Sequence, residues 1–455
     1  MLIHQSFDQM CIKQPEKVCL IYGSRRVTYR EAGRQAGFLA KRLAAQLAPG
    51  DKVLLSLSNP VEQLLYFYAI VKAGGACVFT NESDAARCAG LMERHGLQHC
   101  IQDGFQPEDE AAPALPEMNG QAVFLGALSS GSTGIPKLIW RDHRSWTGAF
   151  TAQSRVFGLS GTDILYLAGN LSYTANLNAC LHLLAEGGTV VIAGNHLPRT
   201  WVREMVEHRV SAVFMVPPYY RTLLRAMTGP VASVRSVVTA GAKIDAGTVR
   251  NLACYFPCAK ICEYYGASEL GHVSYATAED LLAYPGSVGR VFPGVSITIE
   301  EGIIWVKSPY LAPAYRPRAT VGDLGELDKN GYLTLLGRQQ GLINAGGIKV
   351  IPEQLEAVLR QCPGIAEVVV AGIGDEIRGE RIGAWIVRSD RHLQAGDIRE
   401  FCRKRINQHF WPQKVFFLNE LPVLPNGKID RRRLQEGLAP ASFPGQLREG
   451  LHDRD

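Results

Sequence analysis

Apolar and polar positions along this chain switch repeatedly between a helical period and short apolar runs. Residues 29–45 carry helical periodicity behind Thr28, with Glu31 three positions on as the partner of a capping box. Residues 51–58 and 77–79 read as strands, and 61–73 as an amphipathic helix ended by Gly74-Gly75. Residues 103–120, rich in Pro, Glu, Asp and Gly, read as a surface loop. Beyond 122, β-rich runs recur at 123–125, 164–167, 189–193, 212–216 and 237–240, separated by helical stretches such as 201–208 and 221–227. Strand and helix in alternation predict parallel α/β layers.

The texture changes twice. From 285 to 337, Gly/Pro turns and short alternating strands (295–299, 303–306, 332–336) predict a smaller β-rich subdomain. A break at Gly337-Arg338-Gln339-Gln340-Gly341 precedes a helix at 352–361, strands at 366–372 and 382–388, and a helix at 396–409. The expected organisation is α/β. A large N-terminal domain (1–337) has layered sheets, a short connection follows (338–341), and a small α+β C-terminal domain (342–438) precedes a polar tail (439–455) expected to fray.

Size and composition narrow the class. At 455 residues the chain exceeds what one core sustains. Apolar content of 46% and charge of 20% describe a globular protein. A net charge of +5 with no Lys/Arg stripe argues against nucleic acid as a partner, and Arg431-Arg432-Arg433 reads as a solvated helix face. No uninterrupted apolar window is long enough for a membrane span, and the first residues lack a secretory pattern, so a cytoplasmic location is expected. Eleven scattered cysteines fit reduced thiols. Cys254, Cys258 and Cys262 recur every four residues, yet apolar neighbours and the absence of a nearby histidine argue against a metal.

Candidate chemistry begins at Ser129-Ser130-Gly131-Ser132-Thr133-Gly134-Ile135-Pro136-Lys137. Glycines let backbone N–H groups turn toward an anion, hydroxyls add donors, and Lys137 adds a mobile charge. The glycine spacing is not that of a Walker loop, and Ser/Gly/Thr clusters also form plain surface loops. Tyr265-Gly266-Ala267-Ser268-Glu269 places an aromatic ring before a glycine and a carboxylate four positions on. That suits a base and a divalent cation, or a tight turn with an exposed glutamate. Asp323, between Gly322 and Gly325, suits a pair of vicinal hydroxyls or a turn cap. Gly346-Gly347 permit close backbone approach, and Lys428 follows Pro425-Asn426-Gly427 on a turn.

The order and spacing of this set resemble the superfamily of adenylate-forming enzymes: acyl-CoA synthetases, adenylation domains of nonribosomal peptide synthetases, and beetle luciferases. The resemblance covers roughly residues 5–436. Ser129 to Lys137 looks like the family's phosphate loop, with Ser129 for a threonine, and Tyr265 to Glu269 like its Tyr-Gly-x-Thr-Glu motif, with Ser268 for threonine. Gly286-Ser287-Val288-Gly289-Arg290 matches a further family segment.

The resemblance implies that ATP and Mg²⁺ are bound and that a carboxylic acid is activated as its acyl-adenylate. Lys428, Glu269 and Lys137 would be catalytic, with Glu269 the Mg²⁺ ligand. Gly241, Ala242, Glu263, Tyr264, Tyr265, Gly266, Ser268, Asp323 and Arg338 would surround adenine and ribose. Asn170, Tyr173 and Gly241 would border the acyl pocket. Gln340 would be the hinge of a mobile small domain, and Gly346 and Gly347 would line a thiol tunnel for CoA or a phosphopantetheinyl carrier protein acting in trans.

Departures from the family pattern are Gln340 for the usual Asp or Lys, and Gln354 for a glutamate, while Pro352 and Glu356 are kept. They touch the thiol half-reaction more than adenylation. The 165–173 window lacks the aspartate that pairs with an amino-acid ammonium. Thr174, Asn176 and Asn178 add polarity, though both asparagines also suit helix capping. Amide formation from the adenylate and a non-catalytic nucleotide-binding relative are the alternatives. Retention of Lys137, Glu269, Asp323, Arg338 and Lys428 weighs against the second.

Overall fold

A computed structural model of the chain describes residues 1–107, 114–129, 137–345, 348–375, 379–422, 429–436 and 448–450. It divides into two compact units. The first is Met1–Thr298 with Trp305–Val321 and Leu327–Thr334; the second is Ile299–Ile304, Gly322–Glu326 and Leu335–Asp455.

Two sheets build the first unit. In one, the strands Lys260–Ala267, Ser236–Ala240, Ala212–Phe214, Ile164–Leu167, Thr189–Ile192 and Val18–Tyr22 lie side by side and parallel. Antiparallel strands extend it at both ends: Gly271–Thr277 and Ser287–Val291 on one, Arg25–Thr28 on the other. In the second sheet His99–Gln102, Lys52–Ser56, Ala76–Phe79 and Val123–Ser129 are parallel, and Lys137–Asp142 returns antiparallel to the last. Parallel strands are covered on both faces, which is why Ser236–Ala240 and Thr189–Ile192 are buried at every position.

Local chemistry explains the elements. The predicted capping box forms: Thr28 and Glu31 close the start of helix Tyr29–Leu43. Asn59 caps helix Pro60–Lys72, which is apolar nearly all round and therefore lies inside the core. Its Phe67 meets Phe79 and Phe124, and Tyr68 stacks on Phe7 at 4.2 Å. Each such fully buried ring contributes roughly 1.5–3 kcal/mol.

In the second unit, strand Ile365–Asp375 pairs along its length with Gly379–Arg388, which also pairs in parallel with Lys414–Leu418. Val368 and Val370 face one core while Val369, Ala371 and Ile373 face another, so this strand too is buried on both sides. Helix Ala395–Arg403 stops short of the expected 409, because Asn407 caps a separate turn at Gln408–Phe410. The tail expectation also needs correcting. Arg448–Gly450 pairs antiparallel with Lys414–Phe416, a backbone interaction that requires no apolar side chains. Arg431 is not simply solvated either. It donates to the carbonyl of Val370 (2.5 Å) and to Glu356 (2.8 Å), whose buried carboxylate needs a partner.

Candidate active site

Loops at the carboxyl ends of parallel strands meet in the first unit, the place where open α/β sheets bind ligands. Ala168-Gly169-Asn170 follows strand Ile164–Leu167, Gly241-Ala242 follows Ser236–Ala240, and Ser268-Glu269 follows Lys260–Ala267. Strand Lys260–Ala267 carries Tyr265 and Gly266 inside it. Alternation then sends Tyr264 to one face and Glu263 and Tyr265 to the other. Tyr264 is buried against Phe157, Phe214 and His272, while Tyr265 is half-buried.

Glu263 is buried and holds the loop after Ala240. Its Oε1 accepts from the N–H of Ile244 at 2.7 Å, and its Oε2 pairs with Lys243, which also donates to the carbonyl of Ser287. Burial pushes its carboxyl above the usual range, against the pull of Lys243. Glu263 thus positions the exposed Gly241-Ala242 edge rather than presenting its own oxygens. Gly241 has φ +85°, and a Cβ there would strike the hydroxyl of Tyr173. Tyr173 stands at the N-cap position of helix Thr174–Glu186 without a capping bond from its side chain, and burial holds its phenol neutral by raising its pKa. Asn170 is exposed; its carbonyl accepts from the amide of Asn176 at 2.9 Å. Thr174 and Ser268 hydroxyls lie 3.5 Å apart, joining the start of this helix to the Tyr265–Glu269 segment.

Arg141 was not singled out by the sequence, where it reads as one charge in an apolar strand. It is 2% exposed. It donates to the carbonyls of Ser268 and Tyr310, each at 2.6 Å, and its Nε has no partner among the described residues. Burial lowers its pKa, opposed by the charges of Asp142 and, less, Glu269. The backbone carbonyl of Glu269 accepts from the N–H of Ala312 at 2.9 Å. Its side chain is half-buried, so the turn bearing this carboxylate is pinned from two sides. Beside Arg141, the fully buried Asp142 caps helix His143–Thr147 and pairs with Arg316 at 2.8 Å. Lys243 is a second residue missed; its only signal was a lysine two positions after Gly241.

The phosphate-loop residues Ser130 to Gly134 lie outside the described residues. Their flanks do not: Ser129 and Lys137 face each other across the strand pair. Lys137 is exposed and begins the returning strand.

In the second unit, Arg338 donates through Nε to Asp323 at 3.0 Å, and the N–H of Gln339 donates to the carbonyl of Gly322 at 2.8 Å. Asp323 is buried and Arg338 is 65% exposed. Gln340 sits in a tight turn at Gln339–Gly341. Gly337 has φ +155°, and a Cβ there would meet Glu353 and Ile351 at 2.5 Å. Gly346, Gly347 and Lys428 lie outside the described residues. Cys254 is on a helix, Cys258 after it and Cys262 in a buried strand position. No cluster of three His, Cys, Asp or Glu able to hold a metal occurs among the described residues.

A large layered α/β domain with a smaller C-terminal one, and loops gathered at the strand ends, define a two-domain α/β protein with a ligand site at the ends of its parallel strands. The model for AMP-binding enzymes matches residues 7–126 and 103–316, and that for the AMP-binding enzyme C-terminal domain matches 354–428; the chain belongs to this family. It is 28% identical to the uncharacterized acyl-CoA ligase YhfT of Bacillus subtilis, over 96% of this chain and 98% of that protein. It is 25% identical to enterobactin synthase component E of Escherichia coli, over 93% and 92% of the two chains. The o-succinylbenzoate CoA synthetase MenE of Bacillus subtilis, solved with an acyl-adenylate intermediate, shares the fold with a TM-score of 0.84. That likeness covers 94% of this chain and 97% of MenE at 24% identity.

Proposed function

We propose that this chain is an AMP-forming acid–thiol ligase of the cytoplasm, activating a carboxylic acid with ATP and passing the acyl group to CoA or a phosphopantetheinyl carrier. One observation carries the reading. The Tyr173–Gly241 contact and the Ser268–Glu269 turn are tied together through Thr174, so an acid-facing and a phosphate-facing element share one mouth. Eleven unpaired cysteines suit a reducing compartment.

In the first half-reaction a carboxylate oxygen attacks the α-phosphorus of ATP and pyrophosphate leaves. Tyr265 and the Gly241-Ala242 edge would border the adenine, Asp323 with Arg338 the ribose, and residues 129–137 the phosphates. Mg²⁺, which binds through one or two carboxylates plus phosphate oxygens, would neutralise charge on the phosphates. Glu269 fits it: a half-buried oxygen donor on a turn that Arg141 immobilises. Lys428 would stabilise the developing charge on the carboxylate and α-phosphate oxygens. In the second half-reaction a thiol attacks the acyl carbonyl and AMP leaves. Gly346-Gly347 would admit the pantetheine arm after the small domain turns at Gln340.

Acid-dependent pyrophosphate release from ATP and Mg²⁺, run with CoA, with a loaded carrier and with neither, tests this. Release with one class of acid, accelerated by one thiol, is the expected result. Silence with every acid while ATP binds would remove the ligase reading.

A further inference from the structure

Resting on the ligase reading, we infer that the slot beneath Tyr173 receives the far end of the acid, and that it selects a compact, ring-sized acid with an uncharged hydrogen-bonding group over a long alkyl acid.

The slot follows from one helix face. Tyr173 precedes helix Thr174–Glu186, and Asn178 and His182, spaced by four, line a partly enclosed cavity from it. Gln153, Phe157, Tyr264 and His272 complete the principal walls. Tyr264 and Val238 belong to the strands whose ends carry Ser268 and Gly241, so the cavity lies directly under the mouth described above. Its volume is about 20 Å³, room for about one water. Drug-sized ligands occupy roughly 300–1,000 Å³. A long alkyl chain would therefore have to displace much of the wall, whereas a single ring needs far less.

The wall is aromatic with a polar end. The ring of His272 lies 4.6 Å from Tyr264 and 4.8 Å from Phe292, stacking partners of the kind a planar acid would join. The amide of Gln153 donates to Asn178 at 2.9 Å and reaches 3.4 Å from either nitrogen of His272. His182 is bonded to the hydroxyl of Ser154 at 2.8 Å. Methylenes pressed onto this group would leave buried polar atoms unpaired, while a hydroxyl or carbonyl takes the place of a water. Among the described residues no Lys, Arg, Asp or Glu lines the cavity, and burial depresses the pKa of both His182 and His272 to about 3, helped at His272 by the nearby charge of Arg141, so the wall is neutral. An ammonium at this end would be buried without a counter-charge, and a second carboxylate would meet no charged group in the wall itself.

The test compares kcat/KM for adenylation of benzoic acid, a hydroxybenzoic acid series, a benzene dicarboxylic acid and a long-chain fatty acid. At least one hydroxybenzoic acid should exceed benzoic acid by about tenfold, the gain of one satisfied hydrogen bond. The dicarboxylic and fatty acids should fall well below both. Asn178→Leu should narrow the hydroxy-to-plain ratio about tenfold. A fatty acid as best substrate overturns the inference and leaves the ligase reading intact, and so does an unchanged ratio in folded Asn178→Leu, the mark of a cavity that only holds water. If that variant does not fold, the ranking of acids by the wild type decides alone. Silence with every acid defeats the ligase reading itself and the inference with it.

Discussion

The two units handle charge differently. In the first, Arg141, Asp142, Glu263, His143, His182 and His272 are all buried, and Arg141, Asp142, Glu263 and His143 are bonded to backbone. In the second, the described buried carboxylates, Asp323 and Glu356, pair with arginines within reach of water: Arg338 is 65% exposed, Arg360 54% and Arg431 37%. Asp163 and Glu263 of the first do the same with Arg235 and Lys243, but there a guanidinium and three imidazoles are buried as well. Buried groups are costly to leave unpaired, while exposed pairs are worth little. Substitutions at these buried groups of the first unit should therefore register mainly as stability, and those at the exposed cations of the second mainly as catalysis.

The sharpest separation is expected from Lys428→Ala. It should lower adenylate formation by about 10²–10³-fold, as loss of one transition-state donor does, while thiolation of a supplied acyl-adenylate persists. Loss of both steps in a folded variant would break the two-state assignment. Next comes Arg141→Met. The carbonyls of Ser268, Tyr310 and Ser145 lose their donor, so denaturant unfolding should report a loss of about 2–4 kcal/mol. An unchanged midpoint would mean that the guanidinium does not hold the Ser268 turn.

His182→Gln follows. Burial lowers the pKa of His182 from 6.5 to about 3. A base depressed by folding contributes stability above pH 6.5 that is lost as pH falls toward the folded value. At pH 5 the histidine should cost about 2 kcal/mol relative to pH 8, and the glutamine variant should lose that much less on acidification. Parallel acid profiles for the two proteins would reject a neutral buried ring. The smallest stability effect belongs to Arg338→Ala, under about 1 kcal/mol, with a raised KM for ATP as its main consequence. Large destabilisation there would erase the contrast between the units.

Much of the first unit was legible in the chain. Thr28 and Glu31 announced a capping box, and the apolar runs at 164–167, 189–193 and 237–240 became parallel strands because burial on two faces leaves an uninterrupted apolar signature. Helix Thr174–Glu186 was harder to see. Asn176, Asn178 and His182 break its periodicity, because that face serves a turn and a cavity rather than the core. Arg141 escaped for a related reason. A guanidinium satisfied by backbone carbonyls leaves no complementary residue in the sequence to flag it. At Arg431 the reverse happened: a basic run suggested solvent, and the partner, Glu356, lies 75 positions away.

The Tyr173–Gly241 contact also constrains how this mouth can change over time. Any side chain at 241 would collide with the phenol, and the backbone there is in a left-handed conformation that disfavours one. A smaller residue at 173 would leave 241 as glycine but open space above it. The two positions are thus ordered: the ring must shrink before the glycine can grow, and the reverse sequence passes through a damaged intermediate. Laboratory evolution toward bulkier or differently shaped acids should accordingly fix changes at 173 first, with non-additive effects between the pair.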